Sequence, residues 1–322
     1  MADIQFQKGQ KVNILEISYE LLRGARPIHW VKNLSLFAAL IFSGVLIDKI
    51  ILTKVFWAFI SFNLTTSATY FLNDIFDYKQ DRLHPIKKNR PIASGKLPIN
   101  VALLFSLLLA LLSFYSAHQL NPIFFTITVS YVVMQILYSA GLKNFPIIDI
   151  LIIASGFILR VYAGAFIINA HLSVWFLLCV ISIALFLASG KRRAELNIIE
   201  GHETTRKSLT KYPKELLNSY VTMFGNAAWM SWALYTFFES PKASLPIWLV
   251  LAEISRTTTI NKLLMVTTPV VIFGIMRYEY LIFENRSEMP EKILLTDAYL
   301  ISSIIIWLSL VIFVFFGGVA SF

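Results

Sequence analysis

Between Leu97 and Leu142 the chain contains no Asp, Glu, Lys or Arg. A run of that length cannot form a water-facing surface, and it is about twice the ~20 apolar residues that a helix needs to cross a bilayer. Asn121-Pro122 lies near its middle, where a turn dipeptide would separate two antiparallel spans. The same pattern extends along the chain. Of 322 residues, 57% are apolar and only 15% charged, too little charge for a soluble protein of this size. Nine windows read as spans, near 31–51, 55–73, 101–118, 121–140, 147–169, 172–190, 216–238, 261–283 and 297–318. Asp48 and Lys49 close the first, and Arg277 lies near the end of the eighth. The predicted fold class is an all-α membrane protein of nine transmembrane helices, forming one integral-membrane domain over 1–322 with a polar N-terminal segment at 1–25.

Residues 1–33 lack the apolar core and small-residue cleavage site of a signal peptide. Cys179 is the lone cysteine and falls within a predicted span, so no disulfide or zinc site forms within one chain. The five histidines show no metal-ligand spacing.

The net charge of +9 is distributed unevenly. With nine spans, the N-terminal segment and the 2–3, 4–5, 6–7 and 8–9 connections share one side and carry 21 of the 28 Lys and Arg residues. The opposite side has five, and Arg160 and Arg277 fall within spans. Basic residues favour cytoplasmic connections, which predicts a cytoplasmic N-terminus and an external C-terminus. Orientation and attraction to anionic lipid explain the sign of this excess. They do not explain the carboxylates interleaved with it.

Those carboxylates stand in "NDIFDYKQDRLHPIKKNRP", residues 73–91, directly after a stretch without charge from Val55 to Asn73. Asn73, Asp77 and Asp81 recur every four residues, with Asp74 three before Asp77, so on a helix all four line one face. Like charges at that spacing weaken a helix, and a cation must compensate. Carboxylate and amide oxygens suit Mg2+, which commonly completes its shell with water and substrate phosphates. The pattern therefore predicts a Mg2+–diphosphate platform. Its bland alternative is that the aspartates pair with Arg82, Lys87 and Arg90. Pro85 predicts that the helix stops at His84, and Lys87, Lys88 and Arg90 then follow in a loop able to wrap a phosphate. A metal plus cations on a diphosphate implies stabilisation of a departing pyrophosphate. The predicted catalytic cytoplasmic loops are 74–100 and 190–215.

At this point the residues resemble a family. "NDIFDYKQDRLHPIKKNRPIASGKL" is similar to the first Asp-rich motif, NDxxDxxxD, of the UbiA-type membrane prenyltransferase superfamily. "RPIHWVKNLSLFAALIFSG" at 26–44, "LYSAGLKNFPIIDI" at 137–150, "LRVYAGAF" at 159–166, "LFLASGKRRAEL" at 185–196 and "PVVIFGIMRYEYLIF" at 269–283 resemble its branch of decaprenyl-phosphate phosphoribosyltransferases. The resemblance covers about 20 to 315. It implies nine helices around a central cavity, Mg2+ as cofactor, and a multi-pass protein of the bacterial inner (plasma) membrane with a cytoplasmic active site. Asn73, Asp74, Asp77 and Asp81 would then be the metal-binding and catalytic residues. The chain departs from conventional members in the 6–7 connection, where Lys191, Arg192, Arg193 and Glu195 stand in place of a second Asp-rich motif. Three cations suit a ligand with a further phosphate, such as the 5-phosphate of phosphoribosyl pyrophosphate.

The implied reaction moves 5-phosphoribose from phosphoribosyl pyrophosphate to a polyprenyl phosphate. Candidate substrate-binding residues are Arg26, Lys32, Asn33, Arg82, Lys87, Lys88, Arg90, Tyr138, Lys143, Arg160, Lys191, Arg192, Arg193 and Glu195. An intramembrane arginine such as Arg160 is a functional candidate by default, although Asp149 is available as a structural partner. A true prenyltransferase shares the first motif, but the missing second motif counts against it. A transporter would place polar groups near mid-membrane in repeated halves, whereas here they gather at one face. The expected partners are the two substrates and the lipid bilayer, with no nucleic acid. A homo-oligomer is allowed but not required.

Overall fold

The structure is a computed structural model that describes residues 14–84, 86–199, 212–239, 258–284 and 295–316. Its helices are α1 (Ile14–Ala25), α2 (Ala38–Phe42), α3 (Lys49–Leu83), α4 (Ile99–Leu120), α5 (Pro122–Ala140), α6 (Ile148–Ile167), α7 (Val174–Ile199), α8 (Lys214–Phe238), α9 (Thr268–Phe283) and α10 (Ala298–Phe316). A 3-10 helix over Pro27–Phe37 runs into α2, and another over Thr258–Thr267 runs into α9. No strand occurs among the described residues.

The pattern of α4 shows what surrounds the bundle. It buries Ala102, Ser106, Leu109, Ser113 and Ala117, one stripe of mostly small residues. Large apolar residues point outward instead, with Leu104 71% and Leu111 67% exposed. A water-soluble helix does the reverse. Small residues inside allow close backbone approach, and hydroxyls bridge helices where lipid supplies no partner. Against α3, Ser106 Oγ donates to the Ala68 carbonyl at 2.8 Å, Ser116 Oγ donates to Ser61 Oγ at 2.8 Å, and the Thr65 and Ser113 hydroxyls bond each other.

Seven described helices are long and apolar enough to cross a membrane. All nine predicted windows fall on helical segments, with two exceptions of quality. Pro27–Phe42 is shorter than the others. At 25 residues α8 is long enough but more polar, carrying Asn218, Ser219, Thr222 and Asn226. The first window also extends too far. Its helix ends at Phe42, Gly44 turns with φ 74°, and Asp48 caps the next helix by accepting from the Ile50 and Ile51 N–H groups at 2.8 and 3.1 Å. Asn121 caps α5 likewise, accepting from Ile123 N–H at 2.7 Å, so the predicted turn is a one-residue break.

The predicted catalytic segments are corrected in form. Residues 74–83 continue α3 and 190–199 continue α7; helix continues because nothing before His84-Pro85 or within 190–199 breaks it. Residues 200–211 lie outside the described residues.

Gly164 of α6 faces the backbone of Leu36 so closely that a Cβ there would overlap the Leu36 carbonyl. Backbone cannot rotate away as a side chain can. Gly164→Ala is therefore expected to cost about 1–3 kcal/mol, read as a lowered midpoint of thermal unfolding in detergent.

Candidate active site

At 1.5 Å per residue, the 35 residues of α3 extend about 52 Å, against roughly 30 Å of hydrocarbon. A helix so long must project beyond the apolar slab, and Asn73–Arg82 occupy its last turns. Asp74, Asp77 and Asp81 are buried there, at 3%, 8% and 4% exposure. Buried carboxylates require counter-charges, and three separate segments supply them. Arg26 Nη2 donates to Asp74 Oδ1 at 2.5 Å. One guanidinium nitrogen of Arg90 reaches both Asp74 Oδ1, at 3.1 Å, and Asp81 Oδ2, at 2.7 Å. The Lys143 ammonium donates to Asp77. Asn73 Oδ1 accepts from Ser139 Oγ at 3.1 Å.

Of the cations named in the alternative to a metal platform, the structure pairs Arg90 with the aspartates, and it adds Arg26 and Lys143. Arg82 Nε donates to the Ala93 carbonyl at 3.0 Å and its guanidinium lies over the Tyr78 ring. Lys87 and Lys88 form the short turn Lys87–Asn89, with Lys88 exposed. His84 is extended (ψ 135°), as Pro85 requires, and its Nδ1 accepts from the Ile86 N–H at 3.2 Å. This loop is tied to α1, since Arg23 Nη2 donates to the Asn89 carbonyl at 3.0 Å and Lys96 pairs with Glu20 at 3.7 Å.

Arg26 reaches Asp74 from a left-handed backbone, φ 53° and ψ 62°, with its guanidinium 5.1 Å from the Tyr70 ring centroid. Left-handed non-glycine residues carry strain and concentrate at functional sites. Burial disfavours the charged guanidinium, but the adjacent Asp74 carboxylate more than offsets it, leaving the Arg26 pKa above its ordinary value.

Of the cations at the end of α7, Arg192 and Arg193 are held by protein partners. Arg192 is fully buried. It forms an ion pair with Asp149 at 2.6 Å, too bent for an aligned hydrogen bond, and donates to Glu195 at 2.5 Å and the Tyr138 hydroxyl at 2.7 Å. Arg193 donates to Asn218 Oδ1 at 2.5 Å and lies over the Phe283 ring. Lys191 is half-buried. A guanidinium engaged with two carboxylates cannot also grip a phosphate without leaving them uncompensated. Asp149 is thus the partner of Arg192, not of Arg160.

Arg160 instead donates to Asn33 Oδ1 at 2.6 Å, the Gly156 carbonyl at 2.6 Å and the Tyr131 hydroxyl at 2.8 Å. Asn33 in turn donates to Asn63 Oδ1 at 2.6 Å. Asn63 precedes Asp74 by eleven residues of α3, about 16 Å along the helix, so Arg160 and Asn33 form a polar hub deep in the bundle, away from the aspartates. Lys32 is half-buried in the 3-10 segment before it. Tyr212 carried no motif in the sequence, yet its hydroxyl donates to Asp149 Oδ1 at 2.7 Å. A lone tyrosine before Pro213 offers no spacing that would have revealed it.

Among the described residues, no group of three or more His, Cys, Asp and Glu side chains converges as a metal cage. The donor set still fits Mg2+, which is usually held by one or two carboxylates together with water and substrate phosphates. Two carboxylates here share one cationic nitrogen of Arg90, so they already accommodate a single positive centre between them.

A polytopic helical bundle with buried carboxylates at one helix end defines the class. The chain belongs to the UbiA prenyltransferase family, whose profile matches residues 33–194. Within it the chain is similar to the decaprenyl-phosphate phosphoribosyltransferase of Mycobacterium tuberculosis, 36% identical over 222 residues, covering 67% of this chain and 74% of that protein. Its similarity to the enzyme of the same name from Corynebacterium glutamicum is 37% over 225 residues, 67% of each chain. In fold it resembles a UbiA homolog from Archaeoglobus fulgidus bound to DMAPP and Mg2+, with a TM-score of 0.67 at 18% identity over 92% of this chain and 98% of that one.

Proposed function

We propose that this chain transfers 5-phosphoribose from phosphoribosyl pyrophosphate to a polyprenyl phosphate and releases pyrophosphate. The observation that carries this reading is its identity of 36–37%, across two thirds of the chain, with two decaprenyl-phosphate phosphoribosyltransferases. The bundle is read as nine spans around a central cavity in a bacterial plasma membrane. The N-terminus and the aspartate end face the cytoplasm, where a soluble sugar diphosphate has access.

In the reaction, the bond from ribose C1 to pyrophosphate breaks with its electron pair leaving on pyrophosphate. A lipid phosphate oxygen forms the new bond to C1. That oxygen is anionic at neutral pH, so no strong general base is needed. Bound by Asp77 and Asp81, with Asn73 and Asp74 beside them, Mg2+ would neutralise charge on the departing pyrophosphate. Arg26, Arg90 and Lys143 already stand at these carboxylates and are placed to take up donor phosphates once the carboxylates are otherwise engaged. Arginine offers bidentate phosphate contacts and lysine a point charge. Holding two polyanions together is the main task of the site, a matter of orientation and charge.

The test is a paired-substrate assay on purified protein in nanodiscs with Mg2+. Pyrophosphate release is expected from phosphoribosyl pyrophosphate only when polyprenyl phosphate is present. Turnover of a prenyl diphosphate with an aromatic acceptor, and none of the ribosyl donor, would overturn the proposal.

A further inference from the structure

Three non-glycine residues among those described have positive φ: Arg26, Ile147 and Asn169. Asparagine tolerates this region, whereas a β-branched residue in it is an outlier. Ile147 has φ 70° and ψ −49° immediately before α6. Its side chain is 48% exposed, so packing of that side chain does not enforce the strain. The backbone there is closed by the Ile148 N–H donating to the Pro146 carbonyl at 2.8 Å, and it is tied to the rest of the protein by the Tyr212 hydroxyl, which accepts from the Ile147 N–H while donating to Asp149 Oδ1. Asp149 is fixed in turn by buried Arg192, itself anchored to Glu195 and Tyr138. Four residues upstream of Ile147, on the short turn Leu142–Asn144, Lys143 meets Asp77. Contacts therefore run from α7 through Asp149 and Tyr212 to Ile147, and four residues of chain connect Ile147 to the lysine at the aspartate site.

We propose that Tyr212 is a positioning residue for the transfer reaction, holding Lys143 against Asp77 through the strained backbone of Ile147. Without the hydroxyl, the Ile147 N–H loses its partner, only the Ile148–Pro146 bond still opposes the strain, and the loosened 141–147 turn carries Lys143 away from Asp77. Burial pushes the Tyr212 phenol above its ordinary pKa, so at neutral pH it keeps the proton that it donates to Asp149. The kinetic part of this inference rests on the reaction proposed above, and the structural part does not.

The experiment uses the full chain in nanodiscs, comparing wild type, Tyr212→Phe, Ile147→Gly and the double variant by hydrogen–deuterium exchange and turnover. In Tyr212→Phe, exchange at the amides of residues 142–145 is expected to rise about tenfold. Turnover should fall about 10–100-fold, as for other groups that orient a residue touching the ligand, with the midpoint of unfolding unchanged within about 3 °C. Glycine adopts φ 70° without strain, so the double variant should regain about tenfold of that turnover. Unchanged exchange at 142–145 in Tyr212→Phe overturns the proposal even if phosphoribosyl transfer is confirmed, and so does a double variant no more active than the single one. Increased exchange supports the clamp even if the ribosyl donor proves wrong. Should Tyr212→Phe fail to fold, Ile147→Gly alone decides. An unfolding midpoint at or above wild type supports the strained backbone, and a fall of more than about 3 °C overturns it.

Discussion

Asp77→Ala or Asp81→Ala should lower turnover by about 10³-fold or more, the scale of removing a group that stabilises charge developing in the transition state. Pyrophosphate release in nanodiscs reads the loss. Both side chains project from the same face at the end of α3, and both are buried against a cation, Lys143 for Asp77 and Arg90 for Asp81. Asp77→Asn separates charge from shape, because the amide keeps an oxygen near Lys143 but lacks the carboxylate charge. A loss of similar size in Asp77→Asn, with an unchanged elution profile, would place the effect in chemistry and not in folding. Turnover within about tenfold of wild type in both alanine variants would remove these aspartates from the reaction.

The largest stability effect is expected at Arg192. Its guanidinium is fully buried between Asp149 and Glu195. Removing one partner from a buried ion network typically costs about 3–5 kcal/mol, because the remaining charges lose their compensation. Arg192→Met should therefore lower the unfolding midpoint sharply or prevent extraction of folded protein. Replacing the whole network by uncharged groups removes that penalty, so Arg192→Met/Asp149→Asn/Glu195→Gln should be markedly more stable than Arg192→Met alone. Thermal unfolding of the two proteins in one detergent checks this. An Arg192→Met variant as stable as wild type would contradict the buried network.

Much of the fold follows from local properties of the chain. Uncharged runs are long enough to span lipid, and they marked the positions of the helices. Asn121-Pro122 and His84-Pro85 marked two of their ends, because proline lacks an N–H and restricts the residue before it. The four-residue spacing of Asn73, Asp77 and Asp81 placed them on one helical face, since helix periodicity is a property of consecutive residues. The first span was read too long because charge alone marked its end, whereas Gly44 turns the chain and Asp48 caps the following helix.

Which cation meets which carboxylate was not legible in the same way. Arg26 lies 48 residues from Asp74, and Lys143 lies 66 from Asp77; their meeting depends on how α3, α5 and the 27–42 segment pack. Helix packing likewise turned Arg192 inward to Asp149 and left Arg160 deep among uncharged partners, reversing the pairing that position in the chain suggested. Tyr212 gained its contacts only when α8 brought its preceding residues against the start of α6. The sequence by itself determined a membrane bundle with an acidic helix end, because apolar length and helical period are written into neighbouring residues. Only the tertiary structure decided the charge pairing, because a buried ion takes whichever partner the packed helices bring within about 3 Å.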